Sequence, residues 1–294
     1  MLNDPCQLGH GLHAWYGLRL SQAALTPEWS AGTLRPVRLA AVSRTLRRVI
    51  CWICGNPVDE FPSYGIPPRP GRCPHCGAKP RNRAVHWYLR EVVRPVLGEG
   101  AELLEVGSSR VSVQHMYSHS VVGTARCTVI DRRKLRFHDL ITPPHRFISM
   151  DITNAAFPDN SFDVILCNNT LPYVREDRRA LREIFRCLKP DGLAMLDSSH
   201  DGSRTLAVSE YRREHPELGD DYFAENGDQW VYGEDYLARL ADAGFEVRVD
   251  VLFDDCTADF RVRNGLKAHH QLVVAFKSSR GAARFAAPGR THRN

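Results

Sequence analysis

From residue 101 onward the apolar positions fall into short runs, each ending on a polar residue. Leu103-Leu104-Glu105-Val106 stops at Gly107. Cys127 to Ile130 stops at Asp131, Arg146 to Met150 at Asp151, and Phe162 to Cys167 at Asn168-Asn169. Leu193 to Leu196, Glu246 to Phe253 and Gln271 to Phe276 continue the series. Near-continuous runs of Val, Ile and Leu are what strands buried on both faces require. Between them the spacing switches to three and four. Leu181, Ile184, Phe185 and Leu188 share one helical face, stopped at Lys189-Pro190-Asp191-Gly192. Tyr236, Leu237, Leu240 and Ala241 mark a later helix ending at Gly244. Strands alternating with helices predict an α/β class: a Rossmann-like, mainly parallel sheet with helices on both faces.

The flanks read differently. Residues 1–45 form an extension without sustained periodicity, although Val37 to Ile50 has the pattern of a basic helix. Residues 80–98 predict a helix, with Ala84, Trp87, Tyr88, Val92 and Val93 at helical spacing. The α/β domain is expected over 99–277. The tail 278–294, rich in Arg, Ala and Gly, is expected to be disordered. The irregular stretch 200–232 carries Tyr211, Tyr222, Phe223 and Trp230, and is a candidate lid.

Composition changes the picture in two places. Hydrophobic residues make up 43% of the chain and charged ones 25%, which suits a soluble globular protein. No apolar run is long enough to span a bilayer, so no membrane partner is expected. Met1 to Gln22 lacks a secretory pattern, so the expected location is cytoplasmic and the nine cysteines are expected as thiols or metal ligands. Charge is unevenly spread. Residues 1–98 hold thirteen Lys/Arg against five Asp/Glu, and 278–294 holds four arginines and no acid. The α/β segment is therefore acidic. A basic N-terminal part could meet a polyanion.

Cys51-Trp52-Ile53-Cys54 and Cys73-Pro74-His75-Cys76 form two C-x2-C pairs separated by eighteen residues. That is the spacing of a zinc ribbon, placed within a module over 46–98. Each pair offers two soft ligands from one turn, and Gly55 and Gly77 follow each second cysteine, where positive φ is needed. A closed four-cysteine site is structural, since it leaves no open coordination position. The loop between the pairs is rich in Pro and Gly and cannot build a core, so metal would replace one.

Glu105, Asp131 and Asp151 all stand at strand ends, where ligands of open α/β sheets sit. No G-x-G-x-x-G follows Gly107, because Ser109 and Val111 occupy the second and fourth positions after it. That argues against a dinucleotide. Three carboxylates suit a ligand with a cationic centre, ribose hydroxyls and an exocyclic amine. S-adenosylmethionine has all three. Asp131 can accept from a ribose diol and Asp151 from the adenine amine, with Ile152 on the ring and Gly107 beside the methionine part.

The segments LLEVGSS, TVID, MDIT with FPDNSFDVILCNNTLPYV, ALREIFRCLKPDG and YLARLADAGFEV resemble those of class I S-adenosylmethionine-dependent methyltransferases. The resemblance covers about 100–277, with Ser108-Ser109 in place of a glycine-rich first motif. It implies a cofactor site lined by Glu105, Gly107, Ser108, Asp131, Arg132, Asp151, Ile152 and Asn168. A narrower resemblance joins CPHCGAKPRNRAVHWYLR to a group of bacterial zinc-containing methyltransferases; Asp228 and Trp230 stand where a histidine and an arginine would be expected from that group.

The implied reaction is in-line attack on a sulfonium methyl, driven mainly by positioning. Acceptor groups would come from the loop with Asn168, Asn169, Thr170 and Tyr173, and from Ser198-Ser199-His200-Asp201. His200 is the first candidate for a general base, since histidine titrates near working pH. Trp230, Tyr232, His269 and His270 are further candidates. The expected acceptor is a small molecule, methylated on a hydroxyl of a sugar or secondary metabolite. The alternatives are an RNA or protein acceptor gripped by Arg69, Arg72, Lys79, Arg81 and Arg83, or a non-catalytic member that only binds cofactor.

Overall fold

The computed structural model describes residues 49–64, 71–115, 119–133, 138–218 and 227–286. The expected extension 1–45 and helix positions 37–48 lie outside them, while Val49–Ile50 is a strand rather than a helix end.

In chain order the elements are β1 (Val49–Ile50), β2 (Pro57–Val58), α1 (Pro80–Tyr88), β3 (Glu102–Val106), α2 (Arg110–His115), α3 (His119–Val122), β4 (Arg126–Asp131), β5 (Arg146–Ser149) and β6 (Phe162–Leu166). Then follow α4 (Asp177–Cys187), β7 (Leu188–Met195), β8 (His200–Gly202), β9 (Leu206–Ala207), α5 (Val208–Glu214), β10 (Trp230–Gly233), α6 (Tyr236–Asp242), β11 (Glu246–Leu252), α7 (Ala258–Arg263), β12 (His270–Phe276) and α8 (Ser279–Arg284).

Seven strands make the central sheet, in the order β11-β12-β7-β6-β3-β4-β5. β3 to β7 pair in parallel, and β12 runs antiparallel between β7 and β11. The chain moves outward from β3 to β5, then returns to place β6 on the other side of β3. That reversal opens a crevice beyond the carboxyl ends of β3 and β6.

Alternation along the strands explains why both faces are covered. Leu103, Val129, Val164, Met195 and Val274 belong to one buried cluster, and their neighbours Leu104, Ile130, Ile165, Ala194 and Val273 to the other. α4 and α6 cover the second face through Leu181, Ile184, Tyr236 and Leu240. The first face is covered by α1 and the turns that continue it to Val96, through Ala84, Tyr88, Leu89 and Val93. The segment between the cysteines and the sheet is therefore a layer of the main core.

Four expectations are corrected. α4 ends at Cys187 and hands over directly to β7, which begins at Leu188; a register shift between Phe162 and Val164 takes Lys189 to Gly192 into the strand. The tail expected to be disordered is helical over Ser279–Arg284, and Phe285 is fully buried. Arg284 explains the order, since it pairs with Asp191 at 3.0 Å and donates to the Val96 carbonyl. The stretch 200–232 is partly a three-stranded sheet, β8-β10-β9, with α5 attached. Among the described residues seven cysteines are free thiols and Cys256 is disulfide-bonded, so the expectation of thiols or metal ligands fails at Cys256.

Candidate functional site at the carboxyl edge of the sheet

β3 delivers Glu105 and Gly107 to the crevice. Gly107 has φ of +70°, and its amide donates to the Ile130 carbonyl at 2.9 Å, turning the chain sharply across the end of β4. A Cβ at Gly107 would lie 2.5 Å from Thr170 Cγ2. Thr170 comes from the loop after β6, and its hydroxyl donates to the Val106 carbonyl at 2.9 Å. The two loops that flank the crevice thus meet at a residue that must be glycine, for backbone conformation and for space.

A serine network replaces the missing glycines. Ser108 Oγ donates to Glu105 Oε2 at 2.6 Å. Ser109 Oγ accepts from the Ser112 amide at 3.2 Å and lies 3.0 Å from the Ser112 hydroxyl, tying the loop to the first turn of α2. Burial pushes the Glu105 carboxyl up to about 7, against hydrogen bonds from Ser108 and Ser112 that favour its ionised form. Ser112 has no place in the sequence reading; only its three-residue spacing from Ser109 could have pointed to it.

Asp131 and Asp151 are each fixed by their own loop. Asp131 Oδ1 accepts from the Arg133 amide at 2.8 Å. Asp151 Oδ1 accepts from the amide and hydroxyl of Thr153 at 2.9 and 2.8 Å. In both, Oδ2 takes no hydrogen bond from the described residues, so a held carboxylate keeps one oxygen for a ligand. Both residues are half-buried. Ile152 is buried in the adjoining core, and Arg132 is exposed beside Asp131. Asn168 Oδ1 accepts from the Asp197 amide at 3.2 Å, bracing the ends of β6 and β7 against each other. The strand ends therefore bring Glu105, Gly107, Asp131, Asp151 and Asn168 to one edge of one sheet. Carboxylates at that edge are acceptors of the kind a ribose diol or an adenine amine requires, and their charge suits a cationic centre.

The acceptor-side candidates separate. Tyr173 is 42% exposed and lies beside Asp228, whose pKa is raised by burial. Arg81 and Arg133 act electrostatically on the same phenol. Trp230 instead donates its indole N–H to the Val174 carbonyl at 3.0 Å, and Tyr232 is buried with its hydroxyl donating to Asp177 at 2.9 Å. Both fasten β10 over the loop after β6. His200 opens β8 and pairs with Tyr232. His269 Nδ1 lies 3.0 Å from exposed Asp254, and burial drives the His270 pKa down to about 4.

Residues 104–196 match the family model described as a methyltransferase domain. Over that stretch the chain is similar to methyltransferase domains. The stretch runs from β3 to the end of β7 and contains every strand end named above. The chain is 29% identical over 160 residues to the demethylmenaquinone methyltransferase of Paenarthrobacter aurescens, covering 50% of this chain and 62% of that protein. It is 32% identical over 114 residues to the ubiquinone/menaquinone biosynthesis C-methyltransferase of Ectopseudomonas mendocina, covering 34% of this chain and 44% of that protein. Phosphoethanolamine N-methyltransferase 1 of Arabidopsis thaliana is 32% identical over 110 residues, 37% of this chain and 20% of that protein. The chain thus spans from a fifth to about three fifths of these relatives. Among solved structures, the [4+2]-cyclase SpnF overlaps with a TM-score of 0.45 at 19% identity, covering 75% of this chain and 88% of that one.

Outside the matched stretch, Cys51, Cys54, Cys73 and Cys76 converge so that their sulfurs all lie within 4.8 Å of one another. Cys54 and Cys73 sulfurs are 3.9 Å apart, close to the edge of a tetrahedron with ~2.3 Å zinc–sulfur bonds. The two turns match: the Gly55 amide donates to the Cys51 carbonyl at 2.8 Å, and the Gly77 amide to the Cys73 carbonyl at 2.9 Å, with φ of +72° and +75°. The donor set fits a structural zinc ion. Arg83 is fully buried beside it. Its guanidinium donates to the carbonyls of Gly71, Ala78 and Gly265, and the thiolates of Cys51, Cys73 and Cys76 favour its charge against burial. Arg83 therefore belongs to the seam between the cysteine module and the domain of the central sheet and cannot reach a macromolecular acceptor.

Proposed function

We propose that the protein is an S-adenosylmethionine-dependent methyltransferase acting on a small molecule, with a structural zinc in its cysteine module. The observation that carries the reading is the set of loop-fixed acids around Gly107 at the reversal of strand order. Asp131 holds the ribose hydroxyls, and Asp151 with Ile152 holds the adenine. Gly107 and Ser108 pass beside the methionine part, and Arg132 and Asn168 complete the rim. The cofactor, when bound, supplies an electrophilic methyl on a sulfonium. The chain supplies alignment and excludes water, which is where most of the rate of such a displacement arises. Glu105 acts through Ser108 and Ser112, setting the loop on which the methionine part rests.

For the acceptor we infer a hydroxyl of a small molecule, entering beside the Tyr173 loop where the segment from Asp228 to Trp230 is hydrogen-bonded onto it. His200 is the base in this reading, which the backbone pairing of His200 with Tyr232 supports. A small acceptor is supported by the way β10 is fastened down over the Tyr173 loop, which narrows the approach. The test is calorimetry with S-adenosylhomocysteine on the zinc-loaded protein and on Asp131→Ala. Loss of a charged acceptor of this kind costs about 1.5–3 kcal/mol, a fall of roughly 10- to 100-fold in affinity. Equal affinity in the two proteins would refute the assignment of Asp131. Methyl transfer from labelled cofactor to purified RNA rather than to a low-molecular-weight extract would overturn the acceptor class.

A further inference from the structure

Two grooves flank the cysteine module, and they differ in charge. One, of about 670 Å³, has Asp59, Glu60 and Asp259 in its wall, and its arginine, Arg263, is already ion-paired with Asp259. The other, of about 600 Å³, lies between the second cysteine turn and the start of α2. It is lined by Ser63, Arg72, the turn Cys73 to Gly77, Arg110 and Val111, with no carboxylate among the described lining residues. Both arginines are exposed. Arg110 spends one N–H on Gln114 at 3.2 Å, and neither arginine has an ion pair among the described residues.

This second groove is placed for use. Arg110 follows Ser109 directly, so one wall is the far end of the loop that carries Gly107 and Ser108. Val111 is buried in the small core of the cysteine module, which holds the two walls together. The volume falls within the range of small-molecule sites. A planar guanidinium fork matches phosphate and carboxylate oxygens, and two forks facing one cavity form a receptor for such a group.

We propose that this groove is an anion subsite in which Arg72 and Arg110 hold a phosphate or carboxylate group of the acceptor. The proposal rests on the methyltransferase reading for the word acceptor; the anion site itself does not. The cysteine module then has a role in substrate choice, by presenting one arginine from its second turn across from one on the cofactor loop.

The experiment is calorimetry on the zinc-loaded full chain with pyrophosphate as the probe, comparing the natural protein with the double variant Arg72→Gln/Arg110→Gln. Zinc content and S-adenosylhomocysteine binding are measured on the same preparations. The natural protein is expected to bind pyrophosphate, and the variant to bind it at least about tenfold more weakly, since charge-assisted hydrogen bonds are worth ~1.5 kcal/mol or more. Zinc content and cofactor-product affinity are expected to be unchanged. No pyrophosphate binding, or equal binding by the variant, overturns the proposal. Loss of zinc in the variant also overturns it, by assigning the arginines to the metal site. A single-stranded RNA oligonucleotide that binds far more tightly, with a steep salt dependence, overturns the small-molecule source of the anion. Pyrophosphate binding without any S-adenosylhomocysteine binding would leave the groove standing and sink the methyltransferase reading.

Discussion

The central sheet and the cysteine module are two solutions to one problem, that of fixing a turn. In the sheet, burial does the work. Leu103, Leu104, Ile130, Val164 and Ile165 are all fully buried, and the loops at their ends inherit that rigidity. In the module, the buried apolar cluster is Ile53, Val58, Ala78 and Val111 around Cys51 and Cys73. So small a core cannot offset the conformational entropy of a loop rich in Pro and Gly. Four convergent sulfurs and one buried guanidinium take its place. The two regions should therefore fail for different reasons, and that difference can be measured.

The largest effect is expected from the metal. Structural zinc contributes apparent binding energies of ~10 kcal/mol or more in small modules. Stripping zinc with a chelator, or Cys51→Ser, should abolish hydrogen-exchange protection around residues 51–58 and 71–78 while β3, β6 and β7 stay protected. Unchanged protection of both cysteine turns in metal-free protein would show that burial suffices there.

Next comes Arg83. Its removal leaves the carbonyls of Gly71, Ala78 and Gly265 facing a buried space without their donor. Arg83→Met should cost about 3 kcal/mol or more in urea unfolding, as for other broken buried charges. A loss under ~1 kcal/mol, the scale of an exposed ion pair, would place the guanidinium in solvent.

The third effect belongs to the sheet. Glu105 ionises near pH 7 when folded, against an ordinary value of 4.5. The folded protein holds this proton more tightly than the unfolded chain, so its contribution to stability falls as pH rises from about 4.5 and is lost above about 7. A shift of that size corresponds to at most about 3 kcal/mol. Glu105→Gln should remove this pH dependence, so that its stability relative to the natural protein is greater at pH 8 than at pH 5. An unchanged slope of stability between those pH values would show that Glu105 is solvated.

What could be read from the chain follows the same division. The strands were legible because two-sided burial gives continuous apolar runs, and Asp131, Asp151 and Asn168 punctuated them. The cysteine site was legible because metal geometry forces the C-x2-C spacing. Arg83 was not, since a basic run gives no sign that its third residue faces inward while Arg81 stays within reach of Tyr173. The tail was misread for a related reason. Its composition is that of a disordered segment, yet one aromatic, Phe285, and one arginine, Arg284, paired with Asp191 and Asp163, are enough to dock a short helix. Tyr232 and Trp230 looked like site residues because aromatic side chains with polar tips suit both roles. Asp177 and the Val174 carbonyl, distant in sequence, assign them to packing.

The most direct measurement is isothermal titration of S-adenosylmethionine and S-adenosylhomocysteine into the zinc-loaded natural protein. Saturable binding of both at one site per chain, with the S-adenosylhomocysteine signal weakened in Asp131→Ala, is the result expected if the strand-end acids form the cofactor site. A folded, zinc-loaded protein that binds neither compound would contradict it.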